Sequence, residues 1–297
     1  MNNYHLANYY NINQLNDNYM KQVILMFFIL SIFTASGQLM VGSKGLEPLT
    51  PTKRDLLDKS YIECIYSHSV FDPKRDETRE LFDILEVGKK YSSYSNYGAY
   101  KVDSLIETTY AVKLTRNDFF RISHENDATW ECLIKNLNSD SISVYDRVLI
   151  DRYVYKEKKP DIKWSLHNET TKICGHICHK ATATFRGRNW TVWYSDIPLK
   201  NGPWKFGNLP GLILRAEDDK KEHIFEAISI RKGSKRFGPK HFNYIHTTRK
   251  KFNEALAEYK TNPGALLAQP GLAIKDMNGN IVKPNNKPKF FNPIELE

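Results

Sequence analysis

Residues 202–214 read GPWKFGNLPGLIL, a stretch in which three glycines and two prolines stand among large apolar side chains. Glycine permits positive φ and proline fixes φ near about −65°, so this composition specifies a shaped backbone segment. Leu209-Pro210-Gly211-Leu212 predicts a type II turn in which Gly211 takes positive φ. The apolar run from Leu212 to Leu214 then predicts entry into a buried strand.

A second strand is predicted on the N-terminal side of this stretch, over residues 189–195. Strand alternation would place Trp190 and Val192 on one face, and Trp193 and Ser195 on the other. An aromatic ring on the second face indicates that both faces are at least partly covered. The loop between the two strands is therefore anchored in a core at both ends.

This loop carries Trp204, Phe206 and Leu209 and permits two interpretations. In the first, it is a packed cover that closes one end of a sheet or barrel, because buried aromatic rings commonly form core. Alternatively, it is the aromatic wall of a ligand groove, which predicts a concave apolar cavity near Trp193, Trp204 and Phe206. The candidate binding residues of this signature loop are Trp193, Gly202, Pro203, Trp204, Phe206, Leu209, Pro210 and Gly211. Under either interpretation, Gly211→Val should be strongly destabilising.

Short β-prone runs with turn signals between them recur along the chain, and aromatic residues make up 12% of it. The predicted strands are 60–67, 81–87, 110–114, 118–122, 129–134, 142–150, 152–156, 163–166, 172–185, 189–195, 212–217 and 223–230. Residues 91–100 are expected to be irregular, and 186–189 to form a tight hairpin turn. The pattern predicts a mainly β fold, with a strongly curved antiparallel sheet in the form of an open barrel or half-barrel. A C-terminal helix is predicted from Thr247 or Thr248 to Lys260, and an α+β fold is the alternative.

The N-terminal region predicts export. Lys21 precedes an apolar run over residues 23–33, and the small residues Ala35-Ser36-Gly37 follow it. The run is too short to span a membrane, so we expect cleavage near Gly37-Gln38 and a periplasmic or secreted mature chain without a transmembrane segment. An uncleaved amphipathic core helix is the alternative. The predicted organisation is an over-extended start (1–19), a signal peptide (20–37), a linker (38–58), a β-rich domain that includes the C-terminal helix (59–262) and an extended tail (263–297).

Several motifs together resemble the GLPGLI family, which comprises exported proteins of Bacteroidetes-type bacteria. The motifs are Leu85–Gly88, Cys178–Thr182, Trp193–Pro198, Leu209–Leu214 and Asn292–Glu297. Asn208 stands where the family has glycine, and asparagine is well suited to replace glycine at positive φ. The resemblance implies an envelope location and a link to outer-membrane TonB-dependent transport, but no established reaction.

The cysteines Cys64, Cys132, Cys174 and Cys178 would meet an oxidising compartment after export, which favours disulfides. On one extended strand Cys174 and Cys178 would lie too far apart to pair with each other. With His176 these two thiols alternate along the chain, which gives an alternative function as a zinc or copper site.

Catalytic motifs are absent from the sequence: it contains no HExxH, GxSxG or phosphate-binding loop. An envelope hydrolase, the second alternative, would need a histidine and a carboxylate brought together by the fold. Neither a catalytic residue nor a cofactor is predicted.

Residues 231–251 contain eight Lys or Arg and no acid. Since nucleic acid is not expected outside the cell, this segment indicates either an anionic envelope surface or a solvated edge. Taken together, the sequence predicts a non-enzymatic binding or accessory protein of the cell envelope.

Overall fold

The β-prone runs assemble into a twelve-stranded sheet. The structure is a computed structural model and describes residues 52–109, 114–149, 151–264 and 286–297. The predicted signal peptide (20–37), the predicted strand residues 110–113 and most of the predicted tail lie outside the described residues. No described helix is both long enough and apolar enough to cross a bilayer.

In chain order the elements are β1 (Asp58–Lys59), β2 (Ile62–Asp72), β3 (Glu77–Val87), β4 (Tyr91–Asn96), α1 (Tyr97–Thr109), α2 (Arg116–Glu125), β5 (Cys132–Asn136), β6 (Ser141–Val148), β7 (Asp151–Lys158), β8 (Ser165–Ile173), β9 (His176–Phe185), β10 (Arg188–Ser195), β11 (Ile213–Asp218), β12 (His223–Lys232), β13 (Arg236–Phe237), β14 (Ile245–Thr247) and α3 (Arg249–Thr261).

The strand order of the large sheet is β14-β7-β6-β5-β4-β3-β2-β12-β11-β10-β9-β8, and a separate two-stranded ribbon joins β1 to β13. Neighbouring strands are antiparallel except β14, which pairs parallel to β7. The edge strands β14 and β8 do not pair with each other, so the sheet is open. The predicted fold class, a mainly β open curved sheet with a C-terminal helix, is confirmed.

The described residues fall into two compact units. Residues 52–257 and 290–297 belong to the unit that contains the sheet. Residues 258–264 and 286–289 belong to the other, in which the Lys289 amide donates to the Lys260 carbonyl at 2.7 Å.

The register of the sheet gives it two distinct faces. Leu85, Tyr94 and Leu133 lie in one cross-strand row, and we call their side the loop face. Glu86, Ser93 and Ile134 form the adjacent row on the opposite side, which we call the helix face because α1 packs there. Side chains of consecutive strand residues point to opposite sides, so neighbours in sequence serve different environments.

Three local predictions are wrong. Residues 91–100, expected to be irregular, form β4 and the start of α1. Residues 118–122, expected to be a strand, lie in α2, because Thr115 and Asp118 form a capping box that starts a helix. Ile122 and Phe119 then pack at helical spacing against a small core on α1.

The third error is the single strand predicted over 172–185. Cys174 and Gly175 have φ of 49° and 83° and form a turn between β8 and β9. The hairpin turn at residues 186–189 is confirmed, since Arg186 and Gly187 both have positive φ and Phe185 pairs with Arg188. The predicted C-terminal helix is confirmed as α3.

Candidate functional site

The signature loop is packed into the loop face of the sheet. Trp204, Phe206 and Leu209 are between 1% and 5% exposed, and Gly202, Pro203 and Gly211 are also buried. Phe206 lies in edge contact with Trp190, with ring centroids 4.7 Å apart, and packs near Phe225 on the same face. This burial supports the interpretation of the loop as a packed cover. Pro210 is exposed at the turn, and Trp193 is half-buried.

Lys135, which sequence reasoning missed, holds the loop in place. This buried lysine of β5 donates hydrogen bonds to Asn201 Oδ1 (2.9 Å), the Gly202 carbonyl (3.1 Å) and the Phe206 carbonyl (2.7 Å). An ammonium group has three donors, and all three are used here. Burial lowers the pKa of Lys135 to about 7. The sequence contained one signal for this role, a lysine at an inward-facing position of the apolar strand 132–136.

Gly211 is required for a different reason than the sequence indicated. The described glycines with positive φ are Gly175 and Gly187, so the type II turn with positive φ at Gly211 is wrong. A Cβ on Gly211 would lie 1.6 Å from the Ser195 carbonyl oxygen and 3.2 Å from that of Ile197. The glycine therefore permits a close approach of two backbone segments, and Gly211→Val remains a destabilising substitution.

Two other residues of the loop adopt the left-handed conformation. Asn208 has φ of 67°, which agrees with the prediction that asparagine replaces glycine there without loss of the backbone shape. Its side-chain amide also donates to the Pro160 carbonyl at 2.9 Å. Trp204 has φ of 47°, an unusual conformation for a bulky residue that its packing must stabilise.

One side-chain direction differs from the prediction. The pairing of β10 with β11 shifts register between Trp193 and Tyr194, so the simple alternation ends there. Ser195, expected beside Trp193, is buried and donates from Oγ to the Leu212 carbonyl at 3.1 Å.

The helix face carries two adjoining depressions, with volumes of about 610 Å³ and about 80 Å³. We call the larger one the helix-face groove and the smaller one the Glu86 pocket. Trp130, Asp103 and Lys240 line both, so the two depressions are continuous. The rings of the signature loop line neither of them.

Aromatic rings and compensated charges make up the walls of these depressions. Trp130 is half-buried, with the Arg147 guanidinium 4.7 Å and the Lys240 ammonium 5.1 Å from its ring centroid. Asp103 is paired with Lys240 at 2.8 Å and also contacts Arg54. Phe120, at the wall of the groove, is 51% exposed.

Glu86 lies in the wall of the smaller pocket and is only 5% exposed. Burial raises its pKa to about 8, and the nearby carboxylate of Glu63 adds to this shift. Glu63 itself is held by Arg231 at 2.9 Å. The ammonium of Lys235 lines the same pocket, 4.9 Å from the Tyr100 ring centroid.

A histidine–carboxylate pair, which the hydrolase alternative requires, is present on the loop face. His68 Nδ1 lies 3.3 Å from Asp83 Oδ2, and Tyr94 donates to the same carboxylate at 2.7 Å. His68 also stacks on Phe225, with ring centroids 3.8 Å apart. The pair is largely buried and lines neither depression, so no open substrate site adjoins it there.

The predicted metal ligands do not converge. Cys174 lies in the β8–β9 turn and donates to the Ala227 carbonyl at 2.9 Å, whereas Cys178 is buried in β9. His176 contacts Asp196 at 3.2 Å. Within the described ranges, no three His, Cys, Asp or Glu side chains are grouped to hold a metal ion. All four cysteines are unpaired, so the structure gives no support to the expected disulfides.

Four of the basic side chains in the segment 231–251 make contacts within the protein. Arg231 is bound to Glu63, Lys240 to Asp103, Arg249 to Glu295, and Lys235 donates to the hydroxyl of Ser104. These four cations therefore do not form a free anionic-surface site.

Comparison with known proteins gives limited similarity. A family model described as N-glycanase peptide, N-terminal domain, matches residues 156–251. No curated protein matches the chain. Two solved structures of PNGF-II, in space groups C2 and P21, are 17% and 15% identical, with TM-scores of 0.46 and 0.45. The matches cover 68% and 74% of this chain but only 33% and 39% of the solved chains, so the chain spans about a third of their length.

Proposed function

We propose that this chain is a GLPGLI-type exported protein that acts in the cell envelope as a non-enzymatic binding or accessory protein, and that it binds a glycan in the helix-face groove. The observation that carries the proposal is the groove itself, about 610 Å³ in volume, with Trp130 at its junction with the Glu86 pocket. Association with TonB-dependent transport is the partner relationship that the family resemblance implies.

The chemistry of the groove favours a carbohydrate. Sugars present an apolar face of C–H groups and an edge of hydroxyl groups, so they suit a site that combines aromatic rings with hydrogen-bonding side chains. Trp130 and Phe120 supply ring surface, and Asp103 and Lys240 supply paired polar groups. Because these charges already compensate each other, the groove has no large excess of either sign.

The partial match to an N-glycanase N-terminal domain supports the same ligand class. The matched region 156–251 includes Lys235 and Lys240, which line the Glu86 pocket. An N-terminal domain that holds a glycan beside a separate activity would be an accessory module, which is the role proposed for this chain.

The test is binding of the purified protein to an array of neutral and acidic oligosaccharides, including N-linked glycans. We expect binding by the unmodified protein and at least a tenfold loss for Trp130→Ala, because the ring lines both parts of the site. Trp193→Ala is the matched control: Trp193 is also half-buried, belongs to the sequence-predicted site and lies outside both depressions.

Binding that is lost in Trp193→Ala but retained in Trp130→Ala would move the site to the signature loop. Absence of binding to every glycan on the array would refute the proposed function.

A further inference from the structure

Glu86 is a carboxyl group only 5% exposed, to which no described residue donates a hydrogen bond. Strand alternation directs Leu85 and Val87 into the loop face and Glu86 into the helix face, where it lines the pocket of about 80 Å³. Its carboxyl group makes no hydrogen bond to the described residues. Its oxygens are not among the solvent-inaccessible unpaired atoms of the described residues, so a ligand in the pocket can reach them. Strongly shifted carboxyl groups in clefts are characteristic of functional sites.

Lys235 is the complementary group in the lining of the same pocket. Its ammonium donates to the Ser104 hydroxyl, and within the described residues it forms no ion pair with a carboxylate. Asp103 is compensated by Arg54 and Lys240, and Glu63 by Arg231, whereas Glu107, Glu131 and Arg236, which also line the pocket, are exposed. Glu86 and Lys235 are therefore the less exposed acceptor and donor that a ligand inside the pocket meets.

This arrangement selects against charged ligands. Lys235 and its neighbouring cations disfavour an ammonium, and Asp103 with Glu107 disfavours a carboxylate or phosphate. A neutral ligand with a donor and an acceptor side by side satisfies both groups. Two adjacent hydroxyl groups of a pyranose fit, since one can hydrogen-bond to the Glu86 carboxyl group while the next accepts from the Lys235 ammonium.

The size of the pocket limits how much of a glycan can enter. A volume of about 80 Å³ accommodates the hydroxyl-bearing edge of one sugar ring, whereas the adjoining groove of about 610 Å³ has room for further rings. Trp130 lines both volumes and offers a ring surface at the point where a chain would pass between them.

We propose that Glu86 and Lys235 form a terminal-sugar subsite, which takes the adjacent hydroxyl pair of a neutral hexose while the rest of the glycan extends past Trp130 into the helix-face groove. This inference rests on the proposed glycan-binding function. It adds the class of sugar and the residues that hydrogen-bond to it.

The experiment is ligand-observed saturation-transfer NMR with the methyl pyranosides of glucose, galactose and mannose at millimolar concentration. Methyl glucuronide and methyl glucosaminide are the charged counterparts of the same ring. We expect saturation transfer to at least one neutral sugar, a weaker signal for both charged sugars, and at least a tenfold weaker affinity in Glu86→Leu and in Lys235→Met.

Glu254→Gln is the control, because Glu254 is exposed and lines neither depression. It should bind as the unmodified protein does, which separates a specific contact from a general loss of negative charge. Thermal unfolding of each variant shows whether it is folded, and Lys235→Met provides an independent measurement if Glu86→Leu does not fold.

The outcomes separate this inference from the function on which it rests. Trp130-dependent glycan binding that survives in both Glu86→Leu and Lys235→Met overturns the subsite and leaves the proposed function intact. Equal binding of charged and neutral sugars, or no transfer to any methyl pyranoside, also overturns the subsite. Failure of all glycans on the array overturns both.

Discussion

Lys135 shows how a single buried charge can organise a loop far away in sequence. Its ammonium reaches across the loop face and contacts Asn201, Gly202 and Phe206, while Asn201 in turn donates to the Ser92 hydroxyl at 2.8 Å. The signature loop is therefore fixed by hydrogen bonds from β4 and β5 as well as by ring packing. The glycines and prolines of the loop give its backbone a shape in which the Lys135 ammonium can reach the loop carbonyls.

Replacing Lys135 by methionine tests this account. Lys135→Met keeps most of the side-chain volume but removes the ammonium donor from three acceptors, of which Asn201 Oδ1 retains the Gly202 amide, so we expect a loss of about 3 kcal/mol in the free energy of unfolding. Urea denaturation monitored by tryptophan fluorescence measures it. Lys156→Met on the exposed side of β7 is the control and should change stability by less than about 0.5 kcal/mol. Equal stability of the two variants would contradict the role of Lys135.

The sequence identified which loop residues are required for the backbone conformation, but it identified the physical reason correctly only for some of them. Asn208 was predicted to take positive φ from its chemistry alone, and it does. The need for glycine at 211 was also foreseen, but the cause is the Ser195 carbonyl, which comes within reach only when β10 and β11 pair. A contact between segments far apart in sequence leaves no local pattern, and the same holds for Lys135.

At the scale of elements, the segment 290–297 acts as a strap across the loop face, held by two buried cations. Arg188 of β10 donates to the carbonyls of Pro293 (2.8 Å) and Ile294 (3.1 Å) while it pairs with Asp218 at 2.7 Å. Lys205 of the signature loop pairs with Glu295. The strap and the signature loop are thus tied to each other as well as to the sheet.

Arg188 should be among the most sensitive positions in the protein. Arg188→Met leaves the carboxylates of Asp218 and Glu222 without their buried partner, and we expect a loss of about 3–5 kcal/mol in unfolding free energy. Arg215→Met removes two ion pairs of a partly exposed arginine on β11, so its loss should be at most about 1 kcal/mol.

Hydrogen exchange reports on the strap directly in these variants. The Leu296 amide, which donates to the Arg186 carbonyl at 3.0 Å, should lose protection in Arg188→Met and keep it in Arg215→Met. Unchanged protection in both would show that the strap is held by other contacts.

Secondary-structure prediction succeeded where apolar and polar residues alternate along a strand. It failed where the apolar residues belong to a helix. Residues 118–122 contain two phenylalanines and an isoleucine, which favour a strand when taken alone. The capping box that starts α2 joins Asp118 to Thr115, which lies three residues before the predicted strand. Residues 91–100 change from β4 to α1 at Asn96, whose side-chain oxygen accepts the Ala99 amide at 2.9 Å.

At the scale of the whole sheet unit, the two faces have separate tasks. Ser92 contacts the signature loop from the loop face, and Ser93 lines the Glu86 pocket on the helix face. The loop face is covered by the signature loop, whereas the helix face carries the two depressions. The Glu86 pocket could not be predicted from the sequence, because Glu86, Trp130 and Lys235 meet only through strand order and the return of the chain after β12.

The stability of this unit should fall in acid because of His223. Burial lowers the pKa of His223 to about 2, and the neighbouring charges of His68 and Arg188 add to the effect. The unfolded chain binds a proton near pH 6.5, but the folded protein does not, so stability decreases as the pH falls below about 6.5. The slope from this one group is about 1.4 kcal/mol per pH unit.

His223→Phe removes this titration and keeps a ring at the position. Urea unfolding measured at several pH values between 7.5 and 4 should show a smaller loss of stability in this variant than in the unmodified protein. His246→Phe, at an exposed site, should retain the original dependence. A pH dependence in His223→Phe as steep as the original would assign the acid sensitivity to other groups.

The strap also bears on the order in which the protein can be completed during synthesis. The ribosome makes β2 to β12 first, so Arg188 and Lys205 emerge about a hundred residues before Pro293 and Glu295. Until those residues follow, Arg188 has the carboxylates of Asp218 and Glu222 as partners and Lys205 that of Glu157, but neither cation has its strap acceptors. The strap contacts can therefore form only after translation has passed residue 295, and a nascent chain halted earlier has a sheet without its strap.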